Sequence, residues 1–299
     1  MWNILICTSS FSKKNINSKI ISKKIKIKFN PFGRKLNEKE LLNLIDSETI
    51  GIISGTEKIS KKILNKAKNL QVISRCGTGI DNIDKFAFKK KIKIYKTDKE
   101  PILAVSEFVI AQILLTLKNS YYHNNYLKSG KWKKIKAKML TNSQVGLIGF
   151  GKIGKKIKSL IQPFKCKIKI YDPNIKKYSS KKNLDLILKK SKIITLNIPY
   201  NKKNKYFINS KKLNQISNDS LLVNCSRGGL IDENALYKKL KKHKTFKAIL
   251  DCFIIEPYFG KLTKLDNVIL SPHVASFTQE TRDKMEKNSF INCVKNLKI

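Results

Sequence analysis

Short apolar runs alternate with amphipathic, lysine-rich stretches along nearly the whole chain. Runs rich in Ile, Val and Leu and bounded by polar clusters predict strands at 4–7, 25–29, 50–53, 72–74 and 92–95, with helices at 38–45 and 60–66 between them. A longer helical stretch, 102–118, separates this series from a second one, with strands at 145–148, 168–171, 193–197, 221–224, 248–251 and 268–270. A last helix covers 278–297. Strands alternating with helices in this manner build parallel sheets, so the pattern predicts an α/β chain of two such units. The length of 299 residues suits two domains.

Composition narrows the class. Hydrophobic residues make up 41% of the chain and aromatics 9%, enough to form cores and incompatible with intrinsic disorder. No apolar run approaches the ~20 residues of a membrane helix. The opening segment, Met1-Trp2-Asn3-Ile4-Leu5-Ile6-Cys7, lacks a basic leader and reads as a first strand, so a cytoplasmic location without a membrane partner is expected. Six cysteines (Cys7, Cys76, Cys166, Cys225, Cys252, Cys293) occur without a C-x-x-C pair, so their spacing suggests neither a metal site nor a disulfide framework.

The net charge of +42 points at first to a polyanion partner. Its make-up argues otherwise: 59 of the 63 basic residues are Lys and only four are Arg, at Arg34, Arg75, Arg227 and Arg282. Lysines spread over nearly every predicted helix, and Ile and Asn are abundant, as in a compositional drift toward A/T-rich codons. The expected surface is solvated, with no specific nucleic-acid partner. Against that background Arg75 and Arg227 stand out, because a planar, bidentate guanidinium persists where Lys is the default.

The densest motif is Gly149-Phe150-Gly151-Lys152-Ile153-Gly154, set directly after one predicted strand and before a helix. Gly149 permits the tight turn, Gly151 lets backbone approach a pyrophosphate, and Gly154 lets helix and strand pack closely. The next strand ends on Asp172, eighteen residues after Gly154. An acid there accepts ribose hydroxyls and repels a 2′-phosphate, which favours NAD over NADP, although Lys176 and Lys177 lie nearby.

Three more segments follow strands of the second series: Asn224-Cys225-Ser226-Arg227-Gly228-Gly229, Asp251-Cys252-Phe253-Ile254-Ile255-Glu256-Pro257 and Ser271-Pro272-His273-Val274-Ala275-Ser276. Loops at the carboxyl ends of parallel strands face the ligand crevice, so Arg227, Glu256 and His273 are candidates to converge. Arg clamps a carboxylate, His moves a proton at neutral pH, and Glu orients the imidazole. Taken singly, Arg227 and Glu256 read rather as surface charges and His273 as a helix-preceding turn residue; it is the set of three that points to chemistry.

Taken together, these segments resemble the D-isomer-specific 2-hydroxyacid dehydrogenase family, over almost the whole chain and most densely from 72 to 276. The resemblance implies that Arg227, Glu256 and His273 are catalytic. It implies cofactor contacts at Gly149, Gly151, Lys152, Ile153, Gly154, Asp172, Cys225, Ser226, Arg227, Asp251, His273, Ala275 and Ser276. The segment from Arg75 to Asp84 resembles the family's substrate loop, with Cys76, Gly77, Thr78 and Gly79, together with Arg227, binding the 2-oxo acid. Val105-Ser106-Glu107 and Gly130-Lys131-Trp132 match further landmarks. The implied architecture inserts a Rossmann domain, 99–275, into a flavodoxin-like substrate domain of 1–98 plus 276–299. The implied partners are NAD, a small 2-hydroxy or 2-oxo acid, and a second copy in a homodimer.

Some positions depart from the family pattern: Lys96-Thr97-Asp98 at the hinge, Phe108 where a His is common, and Asn142 where a Gly is common. His123 and His243 match no catalytic position and read as solvated. The loops Ser54-Gly55-Thr56-Glu57-Lys58-Ile59 and Ile73-Ser74-Arg75-Cys76-Gly77 look most like phosphoglycerate dehydrogenase-like members, so 3-phosphoglycerate and 3-phosphohydroxypyruvate join the substrate candidates. The phosphate-binding Arg of some such enzymes is absent from the first loop, with Lys58 or Arg75 as substitutes. The regulatory C-terminal domain of longer members is not expected. The alternatives from other classes are a non-catalytic NAD-sensing interaction protein on the same fold and a nucleic-acid-associated protein.

Overall fold

A computed structural model describes residues 1–298. The chain divides into two compact units, Met1–Pro101 joined by residues 277 onward, and Ile102–Ser276.

The first unit opens with β1 (Trp2–Ile6), β2 (Ile25–Phe29), α1 (Glu38–Leu44), β3 (Thr49–Ser54), α2 (Lys61–Lys66), β4 (Val72–Arg75), α3 (Phe86–Lys89) and β5 (Lys93–Lys96). All pairings are parallel, in the order β2-β1-β3-β4-β5, the flavodoxin-like arrangement. Period-two alternation sorts β1 between two cores. Leu5 and Cys7 join Leu41, Ile52, Ile63 and Ile73 in one, while Ile4 and Ile6 join Ile53, Val72 and Phe290 in the other. Helix α1 starts where the pattern demands it, with an Asn37 and Glu40 capping box that satisfies amides at its N-terminus.

The second unit holds α4 (Pro101–Leu117), α5 (Ser120–Lys128), β6 (Gln144–Ile148), α6 (Lys152–Ile161), β7 (Lys167–Tyr171), α7 (Lys181–Lys190), β8 (Ile193–Leu196), α8 (Ser210–Gln215), β9 (Leu221–Asn224), α9 (Glu233–Lys242), β10 (Lys247–Leu250) and β11 (Val268–Leu270). The chain then returns to the first unit with α10 (Gln279–Lys295). The second sheet is also parallel, in the order β11-β10-β9-β8-β6-β7. The strand order reverses between β6 and β8, and at such a switch point loops diverge to leave a crevice beyond the strand ends.

Two details differ from the sequence reading. The stretch 102–118 ends one residue early, because Asn119 turns into the left-handed region at φ 53°, and a second helix, α5, follows. His123 and His243 are half-buried rather than solvated, and His123 Nε2 accepts the Ile135 amide at 3.2 Å. No single described helix is long and apolar enough to cross a membrane.

Candidate active site

The glycine loop lies at the end of β6, beside β8. Gly149 adopts φ +97°, and a β-carbon there would come 2.5 Å from the Asn197 carbonyl oxygen, so only glycine makes the turn. A β-carbon at Gly154 would collide with the Gly149 carbonyl, which lets α6 start tight against the strand. Gly151 faces open space, and no side chain caps α6, which keeps the helix N-terminus clear for an anion. This cradle fits the pyrophosphate of a dinucleotide.

Asp172, at the end of β7, is buried to 8% exposure. Its Oδ2 accepts the Phe150 amide at 2.7 Å and its Oδ1 the Asn174 amide at 2.9 Å. The carboxylate therefore braces the glycine loop, and each oxygen retains a further lone pair for a hydroxyl donor.

The loops after β9, β10 and β11 lie side by side because their strands are neighbours in register. Asn224 shapes the first: its Nδ2 donates to the Arg227 carbonyl at 2.8 Å and its Oδ1 accepts the Ser226 amide at 3.2 Å. Ser226 Oγ lies 2.8 Å from the Leu196 carbonyl oxygen, tying the loop to β8. A β-carbon at Gly228 would overlap the Phe253 backbone, so this glycine lets the Arg227 loop press against the Glu256 loop. Arg227 Nη1 donates to the Ser226 carbonyl at 2.8 Å.

Both oxygens of Glu256 lie 3.0 Å from His273 Nδ1, and Oε1 also accepts the Phe253 amide at 3.1 Å. The two side chains are about a quarter exposed, at 20% for Glu256 and 29% for His273. A proton on Nδ1 is held by the carboxylate, which leaves Nε2 as the nitrogen able to exchange one.

His273 itself sits in the left-handed region at φ 57°. Asp251 holds it there. This fully buried carboxylate accepts the Val274 and Ala275 amides, each at 2.9 Å, and the Ser271 hydroxyl at 2.6 Å. Burial pushes the Asp251 carboxyl above its ordinary range, and those three donors pull it partway back. Glu233, at the start of α9, accepts the Ile254 amide at 2.7 Å from the loop that carries Glu256. Its carboxyl is raised mainly by burial, with the Glu256 charge adding to the effect.

Sequence reasoning brought Arg227, Glu256 and His273 forward and missed Asn224, Glu233 and Ser271. Asn224 ends a strand directly before the Arg227 loop, and that position was its available signal. The partners of Glu233 and Ser271 lie 21 and 20 residues away in sequence, where no local pattern reaches.

The expected substrate loop belongs to the first unit. Its Cys76 amide donates to the Ser54 carbonyl at 2.9 Å and its Gly77 amide to Thr97 Oγ1 at 2.8 Å. Among the described residues the amides of Thr78 and Gly79 have no partner, so these two are the available donors. Arg75 is buried and donates to the Cys76 carbonyl, which makes it part of the loop's frame, while Lys58 is exposed.

A sequence model of the D-isomer specific 2-hydroxyacid dehydrogenase NAD binding domain matches residues 110–275. The hydroxypyruvate reductase of Thermotoga maritima is 33% identical over 260 residues, covering 84% of this chain and 85% of its own. The chain belongs to the D-isomer specific 2-hydroxyacid dehydrogenase family. It is therefore an NAD-dependent oxidoreductase acting on the CH–OH carbon of small 2-hydroxy acids or the matching carbonyl of 2-oxo acids. A second relative, the D-3-phosphoglycerate dehydrogenase of Methanocaldococcus jannaschii, is 34% identical over 259 residues, which are 83% of this chain and 49% of that one. In fold, the chain matches the D-lactate dehydrogenase of Aquifex aeolicus, solved with NAD and lactic acid, at a TM-score of 0.82 and 22% identity over 97% of this chain and 93% of that one.

Proposed function

We propose that this dehydrogenase reduces a small 2-oxo acid with His273 as proton donor, Glu256 as the residue that positions it, and Arg227 as the substrate clamp. The observation that carries this reading is the double approach of the Glu256 carboxylate to His273 Nδ1 at 3.0 Å. When bound, NADH supplies the hydride. Arg227 orients the acid through its carboxylate and polarises the carbonyl. His273 Nε2 gives its proton to the carbonyl oxygen, and Glu256 holds Nδ1 so that the ring presents Nε2. The dinucleotide is held by the cradle of Gly149, Gly151, Lys152, Ile153 and Gly154, with Asp172 toward the adenosine ribose. Cys225, Ser226, Asp251, Ala275 and Ser276 shape the neighbouring loops. The loop at Cys76, Gly77, Thr78 and Gly79 contributes amides to the acid, Thr78 and Gly79 foremost.

Hydroxypyruvate, glyoxylate and 3-phosphohydroxypyruvate are the leading substrates, because relatives that act on their chemistry are the ones this chain is similar to. The reading extends to a cytoplasmic homodimer without a membrane or specific nucleic-acid partner. The dimer is supported by apolar surface on and after α5, where Tyr121, Leu127, Trp132 and Met139 are all exposed, Trp132 to 82%. The decisive assay offers glyoxylate, hydroxypyruvate, pyruvate and 3-phosphohydroxypyruvate with NADH and with NADPH. Turnover of one or more acids with NADH is expected, whereas cofactor binding without any turnover supports an NAD-sensing role on the same fold.

A further inference from the structure

Cysteine spacing along the chain offers no metal site, yet folding brings one thiol together with a carboxylate and an imidazole. Cys252 Sγ, a carboxylate oxygen of Glu256 and a ring nitrogen of His273 all lie within 4.8 Å of one another. They come from two adjacent loops, after β10 and after β11. The thiol is buried, at 2% exposure, and rests 3.4 Å from the Ser226 carbonyl oxygen, while the other two side chains remain reachable from solvent.

We propose that Cys252, Glu256 and His273 form a three-ligand site for a borderline-soft divalent cation of the zinc class. A thiolate, an imidazole and a carboxylate are the donors that zinc takes, and three protein ligands leave a fourth position for water. The sulfur disfavours magnesium and calcium, which prefer all-oxygen shells. The carboxylate and imidazole are already 3.0 Å apart and the thiol lies within 4.8 Å of both, so small side-chain adjustments bring all three to the ~2.0–2.3 Å bonds of a zinc ion. On binding, the Cys252 thiol gives its proton to solvent. A neutral His273 shifts its ring proton from Nδ1 to Nε2, and a charged one releases the Nδ1 proton. The metal then stands between Glu256 and His273, so it inhibits the proposed proton transfer. That inhibition rests on the proposed role of His273, whereas the binding does not.

The test uses the full chain, freed of metal and kept reduced, titrated with zinc against a chromophoric chelator. One zinc per chain is expected. Cys252→Val should weaken it at least about 10- to 100-fold, the loss already seen on removing a supporting residue from a metal site. The control Cys166→Ser should leave it unchanged. Cobalt in place of zinc should give a thiolate-to-metal charge-transfer band in the wild type that Cys252→Val lacks, a readout that needs no activity. Absence of stoichiometric zinc, equal zinc affinity in Cys252→Val, or a cobalt complex without that band would overturn the site. Binding without loss of oxo-acid reduction would leave the site standing and count against His273 as the proton donor.

Discussion

Glu256 meets His273 Nδ1 with both carboxylate oxygens at 3.0 Å, and the same carboxylate accepts a backbone amide of its own loop. The carboxylate is thus fixed to its loop and the imidazole to the carboxylate. Glu256→Gln keeps the size and withdraws the charge. An amide presents one oxygen where the carboxylate presents two, so the hold on Nδ1 loosens and Nε2 is less well placed to deliver its proton. Turnover in oxo-acid reduction should therefore fall while NADH binding stays within a few-fold of the wild type. Unchanged turnover would remove Glu256 from the mechanism.

Arg227→Lys keeps a positive charge and loses the planar fork. The Michaelis constant for the oxo acid should rise and turnover should fall together, since a clamp that also polarises the carbonyl acts in both ground and transition states. Steady-state kinetics on the best substrate from the panel checks this. A change in the Michaelis constant alone would reduce Arg227 to an anchor.

Asp172 braces the glycine loop and is the proposed acceptor of the adenosine ribose hydroxyls. Asp172→Ala orphans the Phe150 and Asn174 amides and removes the charge that repels a 2′-phosphate. NADH should bind more weakly, and its advantage over NADPH should narrow. Equal Michaelis constants for both cofactors in variant and wild type would refute this role.

Asp251 works through the turn that carries His273. Asp251→Ala leaves the Val274 and Ala275 amides and the Ser271 hydroxyl without their acceptor, at about 1–3 kcal/mol per buried group. The melting temperature and turnover should both fall. Asp251→Asn withdraws the charge and one acceptor, since one amide donor of the turn then meets an NH2 group, and it gives a variant that does not titrate at this position. Because burial raises the Asp251 carboxyl, the folded state holds its proton to higher pH than the unfolded state does. The wild type should therefore lose stability relative to Asp251→Asn as pH rises from the ordinary aspartate range, about 4, through the raised folded value, which a series of melting curves reads directly.

Much of this architecture was legible along the chain because parallel strands buried on both faces read as apolar runs. The runs around Leu5, Ile52, Leu147 and Leu222 fall inside β1, β3, β6 and β9. The glycine loop was equally visible, since its residues are consecutive. What stayed hidden were relationships that need three dimensions. The Asp251 bonds to the His273 turn span 20 to 24 residues, and the left-handed turn of Asn119 that ends α4 carries no apolar signature. The substrate loop showed a related gap: its motif marks four residues, yet Thr97, twenty residues from Gly77, decides which amides are left available.

The most direct test of the account is His273→Ala, measured for turnover and for NADH binding in the same preparation. If His273 is the proton donor, turnover in oxo-acid reduction should fall by about 10²- to 10⁴-fold while NADH binding, followed by fluorescence titration, stays within a few-fold of the wild type. Near-normal turnover with every active substrate would contradict the account.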